Sequence, residues 1–145
     1  MLFGKQKKTT AIMDAIKIQI PSLSENIRIV ESFIDNAKER FQFNDDIYGN
    51  IMIAVTESVN NAIIHGNDSD KSKNVSLSLQ LNNNSLKFTV EDQGDGFDYQ
   101  NLEDPTAPEN LEKIGGRGIF LMKHLCDEVS FHDEGKKVEL SFYLD

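Results

Sequence analysis

The sequence predicts an α+β fold: a two-layer α/β sandwich whose mixed, mostly antiparallel sheet of about five strands carries three helices on one face. Three observations predict it. Apolar and polar residues alternate in five short segments, the period of half-buried strands. In three longer segments apolar residues recur every three or four positions, the period of helices buried along one face. The segments follow one another as strand, helix, helix, hairpin, long connection, helix and hairpin, an order that segregates helices to one side of a sheet.

Taken in order, Ala15-Ile16-Lys17-Ile18-Gln19-Ile20 alternates as a strand, and Pro21 is expected to stop it. Residues 1–13 before it are basic at the start and are expected to be flexible. Ser22 or Ser24 is a candidate cap for a helix carrying Ile27, Val30, Phe33, Ile34 and Ala37, which fades near Arg40. A second helix starts between Asn44 and Asp46, where short polar side chains suit free amides and the helix dipole. It continues through Ile47, Ile51, Ala54, Val55, Ser58, Val59 and Ala62 to Gly66, read as a glycine just past its end. Strands over Val75–Leu81 and Leu86–Glu91 are joined by the turn residues Asn82-Asn83-Asn84-Ser85. Residues 97–117 form a long connection expected to act as a lid, with a helical turn or two around Pro108 to Lys113. A helix from about Gly118 to Cys126 precedes the closing hairpin, Glu128–His132 and Lys137–Leu144. Neither a repeat nor a linker divides the chain, so residues 1–145 read as one domain.

Composition narrows the function. The 145 residues are 39% hydrophobic and 27% charged, as in ordinary globular domains rather than disordered ones. The formal charge of −9 disfavours nucleic acid and anionic membrane as direct partners, since both are bound chiefly through basic patches. A single cysteine, Cys126, excludes an internal disulfide framework and reads as a small buried hydrophobe. The N-terminus lacks the apolar core of a signal peptide, and no run approaches the roughly 18 apolar residues of a membrane helix. A soluble cytoplasmic domain is the expectation.

Three short motifs carry chemistry. On the second helix, Glu57 and Asn61 are four residues apart and share a face, a row that His65 continues. An asparagine carbonyl is an uncharged hard ligand, suited to a Mg²⁺ that keeps several waters and bridges phosphates. A neighbouring carboxylate can orient or deprotonate a hydroxyl. The same pair is also what a polar stripe on a solvent-facing helix looks like. Next, Val90-Glu91-Asp92-Gln93-Gly94-Asp95-Gly96 sets an acid at a strand end before two glycines. Asp92 there can accept from an adenine amino group, and Gly94 and Gly96 let backbone approach a flat base; a simple turn would read similarly. Finally, Gly115-Gly116-Arg117-Gly118 opens a helix whose free amides can bind phosphate, which suits an acidic protein. This is neither a Walker A loop nor a dinucleotide fingerprint, because no G-K-[ST] follows and the strand-to-helix context differs. Five of the nine glycines fall between Gly94 and Gly118, so the three motifs reinforce one another.

Together they resemble a known family. Thr56 to Gly66 is similar to the N box of the GHKL ATPases, Glu91 to Asp98 to their G1 box, and Gly115 to Met122 to their G2 box. The form Glu57-Ser58-Val59-Asn60-Asn61-Ala62-Ile63-Ile64-His65-Gly66 and the short length most resemble the anti-sigma factor serine-protein kinases of the RsbW and SpoIIAB type. The resemblance spans roughly Ile16 to Leu144 and implies the Bergerat ATP-binding fold. It implies ATP and Mg²⁺ as cofactors, Asn61 as the Mg²⁺ ligand and Glu57 as general base. Asp92 would hold the adenine amino group, Gly94 and Gly96 would line the base, and Gly115, Gly116 and Gly118 would contact phosphates. A basic residue reaching the γ-phosphate would be Arg117 or Lys113. Lys137 aligns where relatives often carry a threonine that helps hold adenine through water.

The resemblance implies a homodimer that sequesters a sigma factor or similar regulator and phosphorylates a serine on its STAS-domain antagonist. A non-catalytic ATP-sensing partner-switching module is the first alternative. A histidine-kinase catalytic domain is the second; it is disfavoured because no helical hairpin with a phosphoacceptor histidine precedes the domain, and the chain, opening on Met1, reads as complete. His65 is expected to be structural and hydrogen-bonded, and the acidic residues Glu103, Asp104, Glu109 and Glu112 a solvated surface.

Overall fold

The computed structural model describes residues 15–95 and 116–144. Five strands form one sheet: β1 (Ile16–Pro21), β2 (Asn74–Asn82), β3 (Ser85–Glu91), β4 (Glu128–His132) and β5 (Lys137–Tyr143), in the order β1-β2-β3-β5-β4. Three helices accompany it: α1 (Ile27–Phe41), α2 (Asp45–Asn61) and α3 (Gly116–Leu125). The α+β sandwich expected from the alternating pattern is present. The sheet is not mixed, however: all four ladders among the described residues are antiparallel. The reason lies in the last hairpin. β3 and β4 run the same way, joined through α3, but β5 inserts between them and pairs antiparallel with both.

Register puts the apolar set on one face. Leu77 faces Val90, Leu79 faces Phe88 and Leu81 faces Leu86 across β2 and β3; Phe88 and Val90 in turn face Leu140 and Val138 of β5. Most of these side chains are fully buried, and Phe88 packs edge-on against Phe142 with ring centroids 5.9 Å apart. The alternate residues, among them Ser76, Ser78, Lys87 and Thr89, occupy the opposite, partly exposed face. A one-residue slip would exchange the two sets, so burial fixes the register.

The helices cover the apolar face. α1 buries Val30, Phe33, Ile34 and Ala37, the i, i+3, i+4, i+7 stripe of an amphipathic helix. It ends on Gln42 in the left-handed region, whose amide donates to the carbonyl of Lys38. Asn44 caps α2 as expected, its Oδ1 accepting from the amide of Ile47 at 2.9 Å. α2 then buries Ile51, Ala54, Val55, Ser58 and Val59.

Four local expectations need refinement or correction. β1 ends at Pro21 as expected, but the proline is itself the last strand residue rather than the one beyond it, tolerated because β1 is an edge strand. Neither Ser22 nor Ser24 caps α1, which is entered through a 3₁₀ turn at Ser24–Asn26 without a side-chain cap. Ser22 is instead fully buried, donating its hydroxyl to the carbonyl of Lys73 at 2.7 Å. Gly66 is not a left-handed glycine after α2; it closes a π-helical segment, Ala62–Gly66, that continues α2 directly. Lastly, α3 starts at Gly116, two residues earlier than its apolar run suggests. The lid, its expected helical turn and the N-terminal residues 1–13 lie outside the described residues.

Candidate functional site

The end of α2, the end of β3 and the start of β5 meet at one edge of the sandwich. Asp92 follows β3 directly and is 9% exposed. Its amide donates to the carbonyl of Lys136 at 2.9 Å, while its Oδ1 accepts from the amide of Gly94 at 2.8 Å. Burial raises its pKa; the Gly94 amide and the charges of Lys136 and Lys73 oppose that rise, and Glu91 adds to it.

Two glycines make this placement possible by having no side chain. A Cβ on Gly66 would stand 2.3 Å from Oδ2 of Asp92, and a Cβ on Gly94 would stand 1.7 Å from the carbonyl oxygen of Gly66. The π segment is what brings Gly66 there. The amide of Asn67 reaches back to the carbonyl of Ala62 at 2.8 Å, widening the turn. Such π turns recur at functional sites.

Asn67 then ties the corner together. Fully buried, it donates from Nδ2 to Oγ of Ser22 at 2.8 Å and to the carbonyl of Asn74 at 3.1 Å. Its Oδ1 accepts from the amide of Gln93 at 2.7 Å, and Oε1 of Gln93 accepts from the amide of Asn74 at 2.6 Å. The residue beside Asp92 is thereby fixed from two sides. Residues before β2, after α2 and after β3 share one polar network, and every member is satisfied as burial requires.

Asn61 forms the opposite wall. A Cβ on Gly118, in the first turn of α3, would stand 2.6 Å from Nδ2 of Asn61. That Nδ2 is buried without a hydrogen-bond partner among the described residues. Between these walls lies a small, partly open cleft, lined by Ser58, Asn61, Ala62, Val90, Asp92, Met122, Phe131, Gly135, Lys136 and Val138. It has the apolar floor and few converging polar groups of a small-ligand site. Gly135 reaches it at φ 90°, a conformation costly for any residue with a Cβ.

Asn61, Asp92, Gly94 and Gly118 are therefore gathered at one place, with Gly116 and Arg117 as the first residues of α3. Glu57 stands apart: it borders a separate groove with Ser24, Ile27, Thr56 and Asn60. Gly96, Lys113 and Gly115 lie outside the described residues. Lys136 borders the cleft, whereas Lys137 does not: Lys136 ends the turn before β5, and Lys137 pairs with Glu91 and His132 in the sheet. His65 has no hydrogen-bond partner among the described residues, and burial lowers its pKa against the opposing charge of Asp68. The Cys126 thiol is pushed up to about 12, by burial and then by Asp127, in keeping with a packing role. The sequence does not single out Gly66, Asn67, Lys136 and Ser58 as site residues. Of these only Gly66 carries a visible signal, and its proximity to a helix end suggests the wrong reason.

A family model described as a histidine kinase-like ATPase domain matches residues 20–142. The chain belongs to this ATPase family. Its relatives include a serine-protein kinase RsbW of Bacillus subtilis, 30% identical over 139 residues, covering 91% of this chain and 87% of that protein. The serine-protein kinase RsbW of Oceanobacillus iheyensis is 24% identical over 138 residues, covering 90% and 87%. A crystal structure of RsbU and RsbW domains from Mycobacterium tuberculosis superposes with a TM-score of 0.65 at 17% identity, over 90% of this chain. The chain spans about a third of that longer protein, 32% of its length, and the likeness supports the fold. Within the family, a cleft holding one buried carboxylate, one buried amide and bare backbone is suited to the nucleotide. No cluster of three or more potential metal-binding His, Cys, Asp or Glu side chains occurs among the described residues. A metal held here would rely on Asn61 and the phosphates of its nucleotide, as Mg²⁺ commonly does. Among the described residues no helix is long and apolar enough to cross a membrane.

Proposed function

We propose that the chain is an ATP-dependent protein serine kinase that also sequesters a sigma factor or an analogous regulator. Its substrate is a serine on a STAS-domain antagonist of that regulator. The observation that carries the nucleotide site is the buried amide of Asn61, partnerless among the described residues, beside Gly118 and on the same cleft as Asp92. A buried polar group without a partner is costly unless a ligand completes it. In this assignment Asp92 accepts from the adenine amino group. Asn61 would hold a Mg²⁺ through its carbonyl, and such an ion would supply charge neutralisation at the phosphates. The backbone around Gly116 and Gly118, at the N-terminus of α3, receives phosphate, and Arg117 or Lys113 supplies the cation at the γ-phosphate. Gly96 and Gly115 complete the base and phosphate contacts, and Glu57 is the general base for the serine hydroxyl. The names of the relatives support the kinase assignment, and a homodimer is the proposed assembly.

The test is transfer of label from Mg²⁺-[γ-³²P]ATP to candidate STAS proteins, with Glu57→Ala in parallel. The wild type labels a serine; the variant binds ATP but transfers none. Bound ATP with no labelled serine on any STAS protein rejects the kinase step.

A second reading comes from where Glu57 lies. It borders a groove with Ser24 and Ile27 rather than the cleft of Asn61 and Asp92, which favours a non-catalytic ATP-sensing module. That reading expects Glu57→Ala to leave partner binding and signalling intact, while Asp92→Asn abolishes ATP binding.

A further inference from the structure

Two hydroxyls stand two residues apart on α2 and meet different fates. Thr56 returns its hydroxyl to the helix, donating to the carbonyls of Met52 at 2.6 Å and Ile53 at 3.2 Å. Back-bonding of this kind is the usual resting place of a helical hydroxyl. Ser58 forgoes it. The residue is 3% exposed, and its Oγ has no hydrogen-bond partner among the described residues. A buried hydroxyl left so costs folding free energy that an alanine would not, and Ala54 and Ala62 occupy the same helix four residues to either side.

The Ser58 hydroxyl lies on the wall of the cleft that holds Asp92. Around it the lining is apolar: Val90, Met122, Phe131 and Val138. Two other donors border the cleft: Lys136, which also borders an outer groove with Glu91, Gln93, Asp133 and Glu134, and Nδ2 of Asn61, which lies beside Gly118. An ionised Asp92 can only accept hydrogen bonds, so it reads an amino group and leaves the ring nitrogens of a purine, which are acceptors, without a donor. Ser58 is a neutral hydroxyl donor on the same cleft, buried among apolar side chains.

We propose that Ser58 is a nucleobase-reading residue, whose hydroxyl completes its hydrogen bonding on the purine held by Asp92, directly or through one bridging water. This rests on the ATP site proposed above and adds a specificity contact to it. The residue is kept at a cost to the empty protein because the bound one recovers it.

The experiment compares wild type and Ser58→Ala by calorimetric titration with ATP, with 1-deaza-, 3-deaza- and 7-deaza-ATP, and with purine riboside triphosphate, which lacks the amino group. Thermal melts of both nucleotide-free proteins are recorded alongside. Ser58→Ala is expected to bind ATP about tenfold more weakly, the worth of one buried hydrogen bond. Its nucleotide-free melting temperature is expected to match or exceed that of wild type. At least one analogue should bind the two proteins equally, which names the atom read. Unchanged ATP affinity in Ser58→Ala overturns the proposal. So does an equal loss for ATP and all four analogues, or a lower nucleotide-free melting temperature with that uniform loss, which marks a packing role. Failure of wild type to bind ATP is a different result, and it removes the nucleotide site itself together with this contact.

Discussion

Gly66 and Asp92 are in contact where no side chain could intervene: a Cβ on the glycine would lie 2.3 Å from one carboxylate oxygen and 2.5 Å from the carboxylate carbon. Gly94 closes over the same spot, its own missing Cβ falling 1.7 Å from the carbonyl oxygen of Gly66. The carboxylate is therefore aimed by bare backbone on one side and by the Gly94 amide on the other.

Gly66→Ala is expected to displace Asp92 without unfolding the domain. Overpacking of this severity costs about 1–3 kcal/mol, and urea denaturation should show a loss in that range with an unchanged m-value. ATP affinity should fall by more than about tenfold, since a misaimed acceptor loses its hydrogen bond. Wild-type affinity in this variant would show that Asp92 does not hold the base.

The pH dependence of the Asp92 carboxylate has two opposite consequences. Burial raises its pKa, so the folded protein holds this proton to higher pH than the unfolded chain does. Its contribution to stability is then present at low pH and is lost as pH rises through the raised pKa. Nucleotide binding runs the other way, because the ionised carboxylate is the stronger acceptor for an amino group. ATP affinity should begin to fall, on acidification, above the usual carboxylate range. Titration calorimetry between neutral and mildly acid pH measures it.

Asn67 should matter more for stability than its distance from the nucleotide suggests. Asn67→Ala strands the amide of Gln93 and the carbonyl of Asn74 and breaks the link to Ser22. Leaving buried groups unpartnered costs roughly 1–3 kcal/mol each, so for these two a total loss of about 2–6 kcal/mol is expected in urea. Asn67→Asp keeps an acceptor for Gln93 and loses both donor bonds; its stability should lie in between.

Cys126 should be inert in the native protein. With its pKa pushed up to about 12, roughly one thiol in ten thousand is ionised at pH 8, and the thiolate is the reactive form. Labelling by a disulfide reagent should be negligible under native conditions and complete in denaturant. Rapid native labelling would contradict the burial of this residue.

Much of the fold could be read from the chain because burial imposes period: Leu77, Leu79, Phe88 and Val90 alternate inward, and Val30, Phe33, Ile34 and Ala37 repeat helically. The part of the site made of chemically distinctive residues, Asp92 and Asn61, was legible for a similar reason, since their side chains announce a role. What could not be read were contacts set by tertiary approach. Gly66 looks like a helix stop, because nothing local reveals a carboxylate arriving from β3. Ser22 looks like a cap, because its true partner, Lys73, is 51 residues away. Lys136 reaches the cleft because of the path of the turn at Asp133–Gly135, which ends on it and which no local periodicity reveals.

The widened turn at Ala62–Gly66 also makes this corner a counting device. An α-helix advances about 100° per residue, and the π segment absorbs one residue more than a regular helix would. Removing any single residue between Ala62 and Gly66 would let the helix relax to ordinary pitch, swinging Asn67 and the chain beyond it out of line with Asp92. Gly66 apart, the stretch should therefore tolerate exchanges of residue type better than any change in its length, so that deletion scanning finds a sensitivity that substitution at the other four positions does not.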